Sequence, residues 1–447
     1  MKKILSFTII LVSVLSMTSC VNEEDLIFDK TAAERLNEAS ALYSSRLMAS
    51  VNGWAMQLYP TNENEYPYGN GYLLLCRFNK DNSVNVSMDN IFSENKYMED
   101  TSLWDIITDN GPVLTFNSHN NCIHAFCDPE DILFTGNVDE ANDETGKGCQ
   151  GDYEFIIVDA PEDASYMMLK GKKRGTYNLL TPIEEGVEYA DYLADVKAFQ
   201  NKMFPANAPT FNVIHFGDSL YKMTGANDGI PNIFPYDGDE IIDESFNAFL
   251  ITKRGNDYYL RFRDVIHVNE EETVQDFRYD TSRDLFESVD NPIYFIDGDD
   301  PARFFEESLS VKERAWIWNA STQMSDKYAE LMSTLKTELG KNTLQQLRLQ
   351  KVGDNYKVRV TYRSKTTTTL IFNYIGQFSD GRLNLTYDGC DTPQGETILN
   401  QVPSLREILN LLTGGLNISA GDTKFNLNTL KLTCSSNPEI WFVITGL

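Results

Sequence analysis

Tyr72-Leu73-Leu74-Leu75-Cys76-Arg77-Phe78 is followed by Asn79-Lys80-Asp81-Asn82 and then by Ser83-Val84-Asn85-Val86-Ser87-Met88. Two runs rich in strand-favouring side chains flank a linker of turn formers, so the segment predicts a β-hairpin. Residues 54–59 predict a strand upstream of it, behind an Asn52-Gly53 turn. Before that, Thr31-x-x-Glu34 is a capping-box pattern, and Leu36, Ser40, Tyr43 and Leu47 recur at helical spacing. They predict a helix over 32–49. Downstream, strand-like runs lie at 113–117, 153–158, 166–169 and 176–180. Tyr189, Leu193, Val196, Phe199 and Met203 mark a second helix, stopped by Pro205.

The pattern continues as strands at 211–216, 248–252 and 258–264, separated by linkers rich in Asp and Gly. A boundary falls near Ile296-Asp297-Gly298-Asp299-Asp300-Pro301. Beyond it, Tyr328, Leu331, Met332, Leu335 and Leu339 predict a helix. Strands follow at 346–351, 356–362, 368–374 and 382–387. A short helix around Leu405, Ile408, Leu409 and Leu412 comes next, then two terminal strands. The fold class expected is α+β: mostly antiparallel β-meanders, as a sandwich or open barrel, with a few packed helices. The expected units are 31–300, a β-rich region, and 301–447, a C-terminal α+β domain.

The N-terminus predicts a location. Met1-Lys2-Lys3 is a basic start, residues 4–17 are apolar but too short to span a bilayer, and Leu15-Ser16-Met17-Thr18-Ser19 leads into Cys20. This resembles a bacterial lipoprotein signal. It implies removal of residues 1–19 and a lipid anchor on Cys20, followed by an acidic tether over 20–30. Acyl chains anchor a protein stably without a transmembrane helix. Val21-Asn22-Glu23-Glu24-Asp25 resembles the surface-export signal of Bacteroidetes-type lipoproteins, or is a solvated charge run. The expected location is the outer membrane, exposed at the cell surface.

The chain has 447 residues, 38 Lys and Arg against 66 Asp and Glu, and a net charge of −28. That balance argues against nucleic acid as a partner and against a polybasic grip on anionic membranes. Six cysteines follow Cys20: Cys76, Cys122, Cys127, Cys149, Cys390 and Cys434. Disulfides can persist in an exported protein, and sequence leaves both pairing and free buried thiols open.

Several constellations carry possible chemistry. Gly217-Asp218-Ser219-Leu220, Gly225-Ala226-Asn227-Asp228 and Asp264-Val265-Ile266-His267 resemble, in order, the three blocks of GDSL-type esterases. There Ser219 would be the nucleophile and His267 its base. The blocks are too close together for that α/β fold, where one crossover alone needs about 30 residues; a turn after an edge strand is the plainer reading. His119, Cys122, His124 and Cys127 are zinc-type ligands crowded into nine residues, without the paired knuckles of a structural site. A turn with a Cys122–Cys127 disulfide, or half-buried thiols, is preferred. The acidic turns at 237–244 and 297–300 could offer oxygens to calcium, though neither matches an EF-hand loop. Asp218-Ser219-Leu220 also resembles the short O-glycosylation acceptor of such exported proteins. Trp54, Trp104, Trp316, Trp318 and Trp441 could stack on sugars or fill cores; Trp316 and Trp318 share a face only if extended.

Asn52-Gly53-Trp54, the 71–78 run, Gly111-Pro112-Val113-Leu114-Thr115-Phe116-Asn117 with His124-Ala125-Phe126, Gly151-Asp152-Tyr153-Glu154-Phe155 and Leu169-Lys170-Gly171-Lys172-Lys173-Arg174 belong together. As a set they resemble a Bacteroidetes lipoprotein family filed as domain of unknown function forty-three-oh-two, over about residues 29–280. The resemblance implies a surface lipoprotein often encoded beside SusC/SusD-like outer-membrane uptake pairs, with no activity and no catalytic residue to carry over. Residues 170–174 are also a basic knot in an acidic chain, and would be the first anion contact to examine. The function expected is a non-catalytic ligand-binding or accessory lipoprotein of a SusC/SusD-like complex, taking a glycan or a peptide, with no cofactor and no metal. The alternatives are an esterase using Ser219 and His267, or a structural subunit of an outer-membrane assembly.

Overall fold

The computed structural model describes residues 30–62, 69–109, 111–128, 149–238, 248–311 and 314–447. Cys20, the expected leader, almost all of the acidic tether and most of the 237–244 turn lie outside the described residues.

Among the described residues the strands form three eight-stranded sheets. The first contains β1 (Trp54–Leu58), β2 (Tyr72–Phe78), β3 (Ser83–Met88), β4 (Met98–Thr108), β5 (Pro112–Phe116), β6 (Glu154–Asp159), β7 (Met167–Gly171) and β8 (Tyr177–Pro182). Each pairs with the next, and Ala55 of β1 faces Thr181 of β8, so the sheet closes into a barrel. The expected hairpin is β2–β3, with Cys76 opposite Val86. Trp54, Met56, Leu74 and Cys76 point into the barrel with Trp104 and Phe116. Ala55, Leu73 and Leu75 point the other way, into a second core. Two covered faces explain why Leu73-Leu74-Leu75 is continuously apolar where a half-exposed strand would alternate.

Helix α1 (Ala32–Leu47) begins at the expected capping box: Thr31 Oγ1 accepts from Glu34 N (3.3 Å), and Glu34 Oε2 accepts from Thr31 N (2.9 Å). Its last turn is tied to the barrel by Trp54 Nε1, which donates to the Leu47 carbonyl at 2.7 Å.

The middle sheet stays open. It is built from β9 (Asn212–Phe216), β10 (Ser219–Thr224), β11 (Asn232–Pro235), β12 (Phe249–Arg254), β13 (Asp257–His267), β14 (Thr273–Asp280), β15 (Leu285–Ser288) and β16 (Tyr294–Asp297). Its order is β11-β10-β9-β16-β15-β14-β13-β12, two meanders zipped together where Ile214 faces Ile296. Helix α2 (Tyr189–Met203) buries Tyr192, Leu193, Val196 and Met203 in the core that this sheet shares with the outer face of β1 and β2. The 31–300 stretch thus holds two sheets joined by one core.

The C-terminal sheet is again a closed barrel. Helix α3 (Pro301–Ser310) precedes β17 (Trp316–Trp318) and helix α4 (Asp326–Glu338). Then come β18 (Thr343–Val352), β19 (Asn355–Arg363), β20 (Thr367–Ser379) and β21 (Arg382–Cys390). Helices α5 (Pro393–Gln401) and α6 (Pro403–Leu411) lead to β22 (Leu416–Ala420), β23 (Thr429–Cys434) and β24 (Trp441–Gly446). Ile317 faces Thr445, which closes the ring. Residues of α3, α4 and α6 join the inward-facing strand residues in one core.

The architecture is therefore mostly antiparallel β with a few packed helices. The sandwich and open-barrel alternatives are corrected: two sheets close on themselves, which removes their edges, and the third stays open. Trp316 and Trp318 are core residues and not sugar platforms. Trp316 Nε1 donates to Ser308 Oγ and Trp318 Nε1 to Tyr328 Oη, each at 3.0 Å.

Candidate functional site

The constellations visible in sequence resolve mostly into scaffold. Ser219 opens β10 and His267 ends β13, both exposed, and β9, β16, β15 and β14 lie between them in the sheet. Five strand spacings place them roughly 24 Å apart along the sheet, far beyond the ~3 Å contact of a nucleophile and its base. Gly217-Asp218 is the two-residue loop of the β9–β10 hairpin, with Gly217 at φ +62° and Ser219 facing Phe216.

His119 and His124 lie with ring centres 5.4 Å apart, and His124 stacks on Tyr153. His124 Nδ1 accepts from Asn120 N at 3.1 Å. Burial pushes the thiols of Cys122 and Cys127 up to about 12. The Cys122–Cys127 disulfide is corrected: both are free, as are Cys76, Cys390 and Cys434. Among the described residues no three His, Cys, Asp or Glu side chains converge on a metal position.

The acidic turn at 297–300 is occupied by cations and amides of the chain itself. Asp300 caps α3, accepting from Ala302 N (2.8 Å) and Arg303 N (2.9 Å). Asp299 is buried and accepts from Thr210 and Arg303, and Asp297 pairs with Lys424.

Lys172, Arg174 and the turn amides of the basic knot are likewise held from within. Asp152 is buried, and its two oxygens accept from Lys173 N (2.9 Å) and Arg174 N (2.8 Å), closing the β7–β8 turn. Lys172 pairs with Asp109 (2.8 Å) and Glu154 (2.9 Å), and Arg174 Nε donates to the Gln150 carbonyl (2.8 Å). Gly171 lies so close that a Cβ there would sit 2.3 Å from Asp152 Oδ2. Gly151-Asp152 and 170–174 are therefore one folding unit, which is why both strings read as a set. Asn52 plays a similar part: its Nδ2 donates to the carbonyls of Glu184 (2.9 Å) and Val187 (2.8 Å), and its own carbonyl accepts from Tyr189 Oη (2.7 Å).

A cleft lies elsewhere, where the first barrel, α2 and the middle sheet meet. It holds about 210 Å³. Its apolar side is Leu73, Leu193, Val196, Leu250 and Ile251. Around it stand six amide side chains, Asn70, Asn90, Asn95, Gln200, Asn201 and Asn227, with the ion pair of Lys197 and Asp89 at 2.7 Å. Gly71 lets barrel and sheet approach here: a Cβ would meet the Tyr59 ring at 2.6 Å and Leu250 Cβ at 3.3 Å.

Asn90 is the best-fixed of these amides. It caps the turn Ile91–Ser93, its Oδ1 accepting from Phe92 N (2.9 Å) while its own N–H donates to Ser93 Oγ (3.0 Å). This leaves Nδ2 buried without a hydrogen-bond partner. Lys197 Nζ also reaches the Asn95 carbonyl at 3.5 Å, and Gln200 Nε2 donates to the Asn227 carbonyl at 3.1 Å. Amides that both donate and accept, one cation and one carboxylate over an apolar floor suit a neutral polyol or a short peptide. The volume is below the roughly 300–1,000 Å³ of drug-sized sites, about the size of one sugar ring or one or two peptide residues.

Sequence reasoning missed this cleft because its residues come from five separate stretches and form no motif. The dense amides of 85–95 and the Gln200-Asn201 pair on an otherwise amphipathic helix were the only available signal.

Among the described residues no helix is long and apolar enough to cross a membrane. No curated protein matches the chain. Solved structures with some likeness are DNA polymerase III β-subunit sliding clamps. That of Bartonella birtlesii is 10% identical over 92% of this chain and 97% of its own, with TM-score 0.15. That of Streptococcus pyogenes is 10% identical over 92% and 98%, with TM-score 0.13. That of Pseudomonas aeruginosa is 8% identical over 91% and 98%, with TM-score 0.13. Scores of this size carry no structural equivalence. The family described as Domain of unknown function (DUF4302) matches residues 24–281, more than half of the chain, and spans the first barrel and most of the middle sheet. The chain belongs to that family.

Proposed function

We propose that the chain is a cell-surface lipoprotein, anchored through Cys20 in the outer membrane, that captures a small polar ligand in the cleft between barrel, α2 and middle sheet. It hands a glycan or peptide to a SusC/SusD-like uptake complex and carries out no chemistry itself. The observation that carries the reading is the cleft: six amides around an apolar floor beside the Asp89–Lys197 pair. Support for the location comes from the lipoprotein-like stretch ending at Cys20 and the acidic cluster after it. The spread of Ser219 and His267 across the middle sheet weighs against the esterase alternative.

The test is thermal stability of the chain lacking residues 1–20 against panels of glycans and short peptides. A ligand that binds only the folded state stabilises by about 2.7 kcal/mol at 100 times its dissociation constant. A shift confined to one class names the cargo. No shift with either class contradicts capture and favours an assembly subunit, recognised by co-purification with an outer-membrane barrel.

A further inference from the structure

The register of the third barrel brings together two arginines that sequence keeps apart. Ile317 of β17 faces Arg348 of β18, Arg348 faces Arg359 of β19, and Arg359 faces Ile371 of β20. Their strand neighbours Leu347, Leu349, Val358, Val360, Leu370 and Phe372 are buried in the barrel core. The row therefore lies on the outer face, two arginines side by side between two isoleucines. Facing residues have Cβ atoms about 4.5–5.5 Å apart, and like charges there repel.

Neither arginine forms an ion pair among the described residues, and the Nε of each is buried without a hydrogen-bond partner. Asp391 feels the charge of Arg359, but its carboxylate is held by Lys357 (3.2 Å) and Asn373 (2.7 Å). The chain has 66 acidic residues against 38 basic ones. In the basic knot it supplies Asp109 and Glu154 to pair Lys172; here no carboxylate pairs directly with either arginine among the described residues.

We propose that Arg348 and Arg359 form a binding site for a dianionic tetrahedral oxyanion, phosphate or sulfate. Two negative charges balance the two guanidinium groups and cancel their repulsion. The planar forks match tetrahedral oxyanion oxygens in pairs, as lysines do not. The isoleucines on either side shield the contact from water. The site shares no residue with the cleft and lies outside the family-matched residues 24–281, so it stands whether or not the cleft captures a ligand. The oxyanion could belong to a soluble ester or to a phospholipid headgroup, which a membrane-tethered chain would meet.

The experiment uses the chain lacking residues 1–20. Isothermal titration with inorganic phosphate and with sulfate, at constant ionic strength against chloride, should show saturable binding. Arg348→Gln and Arg359→Gln should each weaken it at least tenfold, and Arg348→Lys, which keeps the charge but loses the fork, by less. Each Gln variant should also melt higher than the parent in low salt without phosphate, since the repulsion is gone; misfolding would appear as a lower melting point. Flotation with vesicles of phosphatidylcholine, with and without phosphatidic acid, separates the sources. Vesicle binding that needs both arginines assigns a headgroup, and phosphate binding without it assigns a soluble ester. Unchanged affinity in the Gln variants, or no binding to phosphate, sulfate or vesicles, overturns the site.

Discussion

Asp152 is the side chain whose loss the first barrel should feel most sharply for its size. It is buried at 6% exposure, and its carboxylate is the acceptor for two turn amides, Lys173 N at 2.9 Å and Arg174 N at 2.8 Å. Hydrogen bonds to a charged acceptor contribute about 1.5–3 kcal/mol each, and their loss leaves the donors unpaired. Asp152→Ala should therefore cost about 3–5 kcal/mol, and Asp152→Asn, which keeps one acceptor, about half. At about 1.4 kcal/mol per tenfold change, Ala substitution lowers amide protection by roughly two to three and a half powers of ten. The assay is hydrogen exchange on peptides from Tyr72–Phe78, inside the same barrel, because a chain with several cores need not melt as one unit. Gly171→Ala supplies a cross-check. Its Cβ would clash with Asp152 Oδ2 at 2.3 Å, so the substitution should cost less in the Asp152→Ala background than alone. If Asp152→Ala changed protection less than fivefold, or if the two substitutions were additive, the account of this turn would be refuted.

Three further outcomes follow. Gln57 is 1% exposed on the seam between β1 and the middle sheet, and neither its Oε1 nor its Nε2 has a partner; Gln57→Leu should raise the melting temperature, being worth about 1–3 kcal/mol, and a lower one contradicts this. Burial, and for His124 also the charge of His119, holds the imidazoles of His124 and His215 below their ordinary value. The unfolded chain then binds more protons below about pH 6.5, so this stability is whole above pH 6.5 and is lost as pH falls through it toward the folded values. Melting curves between about pH 7.5 and 5.5 should show the loss, and a His124→Gln, His215→Gln double variant should flatten it; an equally steep profile in that variant speaks against burial as the cause. Trp318 Nε1 is held by Tyr328 Oη at 3.0 Å in the third core, so Tyr328→Phe should cost about 1 kcal/mol by orphaning that donor, read as a fall in urea midpoint.

Local pattern exposed much of the scaffold. Thr31 and Glu34 announced α1, and the polar linker 79–82 announced the β2–β3 hairpin. The strand β4 was missed although Ser102, Trp104 and Ile106 alternate inward, because Glu99, Asp100, Thr101 and Asp105 make the segment look like a loop. The β10 strand was hidden by an esterase-like string whose Gly217 serves a hairpin turn. Barrel closure was not legible, since the pairings of Ala55 with Thr181 and Ile317 with Thr445 join residues more than 120 positions apart. The same holds for the sites. Asn90 meets Lys197 and Leu250 only through the docking of barrel, helix and sheet, and Arg348 meets Arg359 only through strand register.

The most direct test of the cleft is affinity for whichever glycan or peptide shifts the melting temperature, measured on the parent chain, Asn90→Ala and Lys197→Met. The account predicts at least a tenfold loss in each variant with the unliganded fold intact by circular dichroism. Unchanged affinity in both variants would place the ligand elsewhere and contradict the assignment of this cleft.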